Sequence, residues 1–357
     1  NEKPPVIPEL QEWHGLTGEF LCGAASQIIV NDGELLETAN EFAKDFKEMT
    51  GFELLVLDNA NGNTTPTAGD FCLSLTEERQ GLGKEGYTLD IGDYITIEAE
   101  NPVGAYWSTR TILQIVKQTG GIVPKGKVRD YPKYEVRAFM LDVGRKPITM
   151  ESVKQYADNM AWYKMNSFQL HLSDNLIFTR DYATEEEAIE KAYAGFRLES
   201  DNIGPTTGKS ATSEDLYYTK DEFRSFIEES RGKGIDVVPE FDMPAHALPF
   251  TRAFPEYMTL GGNNGPKGYL IEEIDLSKEG ATDWAKSIWQ EYMEGETPVF
   301  DQDVTIHIGT DEFHGSGGNE SFRKFSDDMI KFVQGTGRTV RMWGSLSNKS
   351  GTTPVAS

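Results

Sequence analysis

From Tyr134 onward, short apolar runs of extended character alternate with amphipathic helical stretches. The strand-like runs cover residues 136–143, 167–172, 236–241, 304–308 and 339–343, and helical spacing falls at about 151–164, 220–233, 282–294 and 320–334. In the first helix Val153, Tyr156, Met160 and Tyr163 form one apolar stripe; in the last, Phe322, Phe325, Met329 and Phe332 do. Thr219 and Glu222 stand at capping-box spacing where the second helix begins. Such alternation predicts a parallel sheet with helices outside it, either open or closed into a (β/α) barrel. Two connections far exceed the ~15 residues usual for a compact domain: roughly 45 residues after Asp174 and roughly 40 after Phe241. Both leave strand C-terminal ends, the face on which α/β barrels build their sites. Glu185-Glu186-Glu187, within the first, reads as a solvated helical face.

Residues 1–132 read as a separate small α/β companion domain, and 133–357 as the barrel domain. Strand candidates in the first are 27–30, 53–57 and 71–75, with a hairpin from 87–90 and 94–97 around Ile91-Gly92-Asp93. Helices fit at about 33–50 and 104–119, stopped by Gly51 and by Gly120-Gly121. Cys22 and Cys72 are the only cysteines; they read as two small core residues in neighbouring strands, with a disulfide between them as the alternative.

Composition excludes several classes. Hydrophobic residues at 38% are enough for a packed core, and no apolar run is long enough to span a bilayer. A net charge of −24 repels phosphate backbones and anionic membranes, so no nucleic-acid or membrane partner is expected. The chain opens Asn1-Glu2-Lys3 without methionine, as a trimmed mature protein or a cut piece would.

Chemistry gathers where the strands end. The first ends Leu141-Asp142-Val143-Gly144-Arg145 and the second His171-Leu172-Ser173-Asp174. The third ends Pro239-Glu240-Phe241-Asp242-Met243-Pro244-Ala245-His246, the fourth His307-Ile308-Gly309-Thr310-Asp311-Glu312, and the fifth Trp343. Strands closing about one axis would bring these residues to one pocket. Neighbours on an extended strand point to opposite faces, so Asp311 and Glu312 share a pocket only if the chain bends, which Gly309 permits. In a close carboxylate pair, repulsion favours one protonated acid beside one charge stabiliser. The competing reading is an Asp-Glu pair placed to suit a helix N-terminus.

Those four strand-end stretches, in that order across residues 134–313, resemble the β-N-acetylhexosaminidases of glycoside hydrolase family 20. The resemblance implies a (β/α)8-type TIM barrel after a small α/β domain, with no cofactor and no metal. It implies an exo-acting enzyme that releases terminal β-linked N-acetylhexosamine from oligosaccharides or glycoconjugates outside the cell. The mechanism it implies is retaining and substrate-assisted, an exception to the two-carboxylate scheme. The substrate's own acetamido oxygen attacks the anomeric carbon; Asp311 would orient that group, and Glu312 would serve as acid and then base. Arg145 would bind sugar hydroxyls, with an ion pair to Asp142 or Asp174 as its competitor. Asp174 and His246 would support Glu312, and Trp343 would line the acetamido pocket unless it is core packing. His171 and His307 read as satisfied core groups, and His314 is left without a role.

Two departures from the family pattern stand out. Only five of eight barrel strands can be counted, so the rest are expected from a further segment of the same protein, or else the chain is a truncation of doubtful activity. Gly344-Ser345 follows Trp343 where many members have an acid, which leaves open a lacto-N-biosidase that releases a disaccharide. A non-catalytic carbohydrate-binding barrel is the rival from another class. A metal hydrolase built on His246, His307, Asp311 and His314 lacks any familiar ligand spacing.

Overall fold

A computed structural model of the chain describes residues 1–77, 81–176, 178–315, 317–344, 346 and 349–356. Two compact units emerge. One comprises Asn1–Arg137, Ala157–Asn166 and Ser230–Ile235; the other comprises Ala138–Tyr156, Ser167–Glu229 and Asp236–Ser357.

The first unit is built on a seven-stranded mixed sheet. Its strands are β1 (Glu12–Leu21), β2 (Gln27–Val30), β3 (Leu55–Asp58), β4 (Phe71–Leu75), β5 (Tyr87–Ile91), β6 (Ile95–Ala99) and β7 (Ile122–Asp130), in the order β1-β7-β5-β6-β4-β2-β3. Helices α1 (Leu36–Thr50) and α2 (Pro102–Thr119) end at Gly51 and Gly120, each in the left-handed conformation glycine adopts freely. Edge-on contacts of Phe71 with Phe20, Phe42 and Phe46 join β4, β1 and α1 in one core. Strands β1 and β7 were not expected. Pro124 and Gly126 mask the alternation of β7, and β1 buries only Phe20 fully.

Cys22 and Cys72 do not lie in neighbouring strands. Cys72 lies buried in β4, but Cys22 is half-buried just past the end of β1, and β1 pairs with β7 rather than with β4. Both thiols are free, and burial, the largest influence on each, pushes both up.

In the second unit β8 (Ala138–Asp142), β9 (Ser167–Asn175), β11 (Asp236–Met243), β12 (Ile306–Gly309) and β13 (Val340–Arg341) run parallel in that order. Short antiparallel β10 (Ala194–Phe196) lies beside the end of β9, on the edge that β8 leaves after Asp142. Helices α3 (Met150–Trp162), α5 (Lys220–Gly232), α7 (Ala281–Met293) and α8 (Gly318–Gly335) fill the connections as expected. The two long loops carry elements of their own, α4 (Glu185–Lys191) and α6 (Leu248–Ala253). Thr184 caps α4, and the Glu185–Glu187 run forms its first turn. Thr219 Oγ accepts the Glu222 N–H at 3.1 Å at the start of α5.

Two helix stripes shift. Along α3 the buried positions are Met150, Val153, Ala157, Met160 and Ala161, while Tyr156, and Tyr163 just past its end, are exposed. In α8 Val333 is buried and Phe332 is only half-buried. In each case a large ring sits at the margin of the buried arc and a smaller residue fills its centre. Phe139 and Met140 of β8 are 37% and 39% exposed, and no strand pairs with the outer edge of β8 among the described residues. No helix among them is long and apolar enough to cross a membrane.

Candidate active site

Register defects in the second sheet decide what meets at its C-terminal end. Between β9 and β11 the pairing passes from Glu240↔His171 to Phe241↔Ser173, so one residue of β9 is extra. That bulge breaks strict alternation and lets His171 and Asp174, three apart, meet: His171 Nε2 lies 2.5 Å from Asp174 Oδ2. Between β11 and β12 the extra residue falls on β11, from Glu240↔His307 to Met243↔Gly309.

The fourth strand end turns as the sequence suggested, and more sharply. Gly309, Thr310 and Glu312 have φ of 70°, 72° and 41°. A side chain at Gly309 would place its Cβ 2.0 Å from Asp242 Oδ1, so only glycine fits. Thr310 is held by its N–H to the Met243 carbonyl at 2.9 Å. The bend presents Asp311 and Glu312 on the His246 side. One carboxylate oxygen each of Asp311 and Asp242 and a ring nitrogen of His246 all lie within 4.8 Å of one another, and His246 Nε2 is 3.5 Å from Glu312 Oε2. Helix α8 begins only at Gly318, so the pair does not sit in a helix's first turn.

Asp174 is the electrostatic centre. It is fully buried, and its two oxygens meet His171 (2.5 Å), Arg145 Nη2 (2.8 Å), His246 Nδ1 (3.1 Å) and the N–H of Asn175 (2.6 Å). Burial pushes its carboxyl up, but the bonds from His171 and His246 and their charge reverse that and hold it well below the usual carboxylate range. The histidines respond in turn. Burial pushes His246 down, but the bond to Asp174 and the charges of Asp242 and Asp174 bring it up to about 9. His171 is raised more strongly: burial is outweighed by its bonds to Asp174 and Glu240.

Arg145 realises both competing ion pairs, to Asp142 at 2.9 Å and to Asp174 at 2.8 Å, and is still about a third exposed. It faces a hollow of about 270 Å³ together with Asn175, Leu176, Phe178, Asp181 and Tyr193. Asn175 also borders a smaller hollow with His246, Lys267, Glu272, His314 and Glu312, whose side chain is 55% exposed. Trp343 is set apart from both. Strand β13 ends at Arg341, two residues short of the expected end; Trp343 donates its backbone N–H to Gly309 O at 2.8 Å and its indole N–H to Glu240 at 2.6 Å. Ser345, in the departure noted after Trp343, lies outside the described residues.

Several buried acids had no assigned part. Glu240 joins His171, Trp343 and Gln169. Glu272 and Glu273, from the loop after β11, are raised by burial to about 7 and about 8. The acids of the third motif were visible as strand-end residues, but the bulges that aim them leave no trace in composition or periodicity. The trios Asp142–His171–Asp174, His171–Glu240–Asp242 and Asp242–His246–Asp311 are each tight enough to bracket a cation. They share members, however, and His171 and His246 are already ion-paired to carboxylates within them.

Comparison with known proteins bears on the same residues. The profile described as "Glycosyl hydrolase family 20, catalytic domain" matches residues 134–355, and "Glycosyl hydrolase family 20, domain 2" matches residues 3–131. The chain belongs to glycosyl hydrolase family 20. Among curated relatives, the lacto-N-biosidase of Bifidobacterium bifidum is 26% identical over 364 residues, covering 96% of this chain and 29% of that protein. The β-hexosaminidase of Porphyromonas gingivalis is 28% identical over 320 residues, covering 86% and 38%. The chain thus spans less than half of either relative. Among family 20 structures, the β-N-acetylhexosaminidase of Streptomyces coelicolor superposes with a TM-score of 0.74 at 23% identity, over 97% of this chain and 67% of that one. A Vibrio harveyi family 20 exo-β-N-acetylglucosaminidase with bound N-acetylglucosamine gives 0.75 at 18%, over 98% and 56%. These likenesses establish the fold class, a (β/α)8-type TIM barrel preceded by an α/β domain, and five parallel strands of the second unit lie among the described residues.

Proposed function

We propose that this chain carries the catalytic centre of an exo-acting glycoside hydrolase that releases terminal β-linked N-acetylhexosamine by a retaining, substrate-assisted route. The observation that carries the reading is the ordered set Asp174–His246–Glu312, with Asp311 on the same side of His246. In the proposed reaction Glu312 gives its proton to the leaving oxygen while the substrate's acetamido oxygen forms a bond to the anomeric carbon. Asp311 orients the acetamido group and balances its positive charge, and Glu312 then takes a proton from the water that opens the cyclic intermediate. Cationic His246, anchored by ionised Asp174, steadies the Glu312 carboxylate between the two steps. Arg145 offers a planar donor fork to sugar hydroxyls from the wall of the larger hollow. Asp311 and Glu312 act from the bent end of β12.

Family membership and the named hexosaminidase relatives support the reading. Substrates of this class lie on glycoconjugates outside cells, so the proposal carries a secreted or cell-surface location with it. It also makes the outer edges of β8 and β13 the places where remaining barrel strands would join from a further segment of the same protein. A second reading, lacto-N-biosidase, is favoured by the Bifidobacterium relative that matches 96% of the chain. Hydrolysis of a chromogenic N-acetyl-β-glucosaminide, abolished by Glu312→Gln in a folded protein, tests the first reading; glycan binding without turnover would leave a binding module instead. Mass spectrometry of products from a lacto-N-tetraose-type substrate separates monosaccharide from disaccharide release. A thiazoline mimic of the cyclised acetamide should inhibit tightly, and chelators should not.

A further inference from the structure

Glu240 is fully buried, and both its oxygens are engaged. Oε2 accepts Gln169 Nε2 at 2.6 Å; Oε1 accepts the Trp343 indole N–H at 2.6 Å and lies 3.1 Å from His171 Nδ1. A third ring is near, since His307 Nδ1 is 3.6 Å from Oε1. That nitrogen accepts the Gly309 N–H at 3.2 Å, which requires an unprotonated Nδ1, and burial, its largest influence, pushes His307 down to about 4. His307 is therefore neutral, and among the described neighbours of Glu240 only His171 can neutralise it. His171 lies in turn 2.5 Å from Asp174, and Asp174 3.1 Å from His246, which faces Glu312. Charges alternate along this line: Glu240 negative, His171 positive, Asp174 negative, His246 positive.

We propose that Glu240 is a positioning residue that couples Trp343 to the acid/base group, holding the indole directly and fixing the charge of His246 through His171 and Asp174. The inference rests on the hydrolase reading for its consequence, but its geometry stands without it. Glu240 Oε1 serves two groups from separate segments of the sheet: it accepts the indole N–H of Trp343, beyond the end of β13, and lies at ion-pair distance from the imidazole of His171 on β9. The sharing makes the placement of Trp343 and the proton held by His171 depend on the same negative charge.

The test is Glu240→Gln in the full chain, a change that keeps the shape and the acceptor but removes the charge. With five histidines in the sequence, imidazole titrations can be followed individually by NMR. The His171 midpoint should fall by about one pH unit or more, since it loses one of the two carboxylates it is ion-paired to while Asp142, Asp174 and Asp242 remain nearby. The Trp343 indole N–H resonance, assigned by its loss in Trp343→Phe, should move upfield as its acceptor becomes neutral. Glu240→Asp, which restores charge but not reach, should recover the His171 midpoint and not the indole shift. On the active protein, kcat for an alkyl glycoside should fall about tenfold more than kcat for a nitrophenyl glycoside, because only the poor leaving group needs full acid assistance. A folded Glu240→Gln protein with both resonances unmoved overturns the proposal. Should Glu240→Gln not fold, Trp343→Phe decides: freeing the Glu240 oxygen should raise the His171 midpoint, and an unchanged midpoint overturns the coupling. Loss of the hydrolase reading would show as no turnover by the unmodified protein, while the NMR results still decide the role of Glu240.

Discussion

Glu312 faces two cationic side chains: its Oε2 lies 3.5 Å from His246 Nε2, and its Oε1 lies 4.0 Å from Lys267 Nζ. The 3.5 Å separation is an ion-pair distance rather than a formed hydrogen bond, and His246 Nε2 has no hydrogen-bond partner of its own among the described residues. A side chain so exposed adds little to folding. Glu312→Gln should therefore lower kcat by roughly 10²–10⁴-fold and leave thermal unfolding within about 1 °C of the unmodified protein. A matching loss of melting temperature would mean that the carboxylate holds the fold instead of the proton.

Glu273 gives a pH signature with a fixed sign. Its side chain is almost fully buried, Oε1 accepts the His314 N–H at 2.9 Å, and burial followed by the charge of Glu272 pushes it up to about 8. For an acid raised on folding, the unfolded chain ionises first, near pH 4.5, while the folded chain keeps its proton to about pH 8. Stability is then lost progressively as pH rises across that window. Glu273→Gln keeps the acceptor and removes the ionisation, so it should stabilise the protein at pH 9 by roughly 1–3 kcal/mol and change it little at pH 5. Chemical denaturation at the two pH values checks this, and an equal effect at both would contradict it.

Arg145 shows where shape outweighs charge. One guanidinium nitrogen pairs with Asp142 and another with Asp174, across two strand ends. Lysine keeps the charge but cannot occupy both positions with a planar fork. Arg145→Lys should raise KM about tenfold or more, through loss of paired donors to sugar hydroxyls, with a smaller fall in kcat. Steady-state kinetics on one chromogenic substrate separates the two effects; a change confined to kcat would place Arg145 with the acid/base group instead.

Element order was legible in the sequence because it follows from periodicity. The limits of β2 and β4 and the stops at Gly51 and Gly120 coincide with local signals that need no tertiary context. Strand β7 was hidden because Pro124 and Gly126 break the pattern that identifies a strand. The strand-end residues were legible as candidates, and the structure brings Arg145, Asp174, His246, Asp311 and Glu312 together. The sequence alone reads His171 as a core group and gives Glu240 no role beyond its strand end, since their meeting depends on bulges set by inter-strand register. Trp343 was placed at a strand end, yet β13 stops earlier, and its indole turns to a buried acid that only the folded sheet brings within reach.

Gly309 is where backbone conformation sets the placement of Asp311 and Glu312. Its φ of 70° is followed by 72° at Thr310 and 41° at Glu312, an unusual run of left-handed conformations leaving a buried strand. Glycine adopts such angles freely, whereas alanine there costs about 1 kcal/mol before any contact is counted. The contact is severe: the new methyl group would lie 2.0 Å from Asp242 Oδ1 and 2.4 Å from Asp242 Cα. Backbone cannot yield as a flexible side chain does, so β11 and β12 must separate or the turn must unwind. Either response moves Asp311 and Glu312 relative to His246, whose own φ of 57° shows a second constrained position facing them. Gly309→Ala should destabilise the protein by about 2–4 kcal/mol. The remaining folded fraction should lose about 100-fold or more in kcat, because misplacing reacting groups by about 1 Å is worth that much. Denaturant titration and kinetics at a temperature where the variant is fully folded measure the two separately, and near-normal turnover by folded Gly309→Ala would show that the bend does not set the position of the acids.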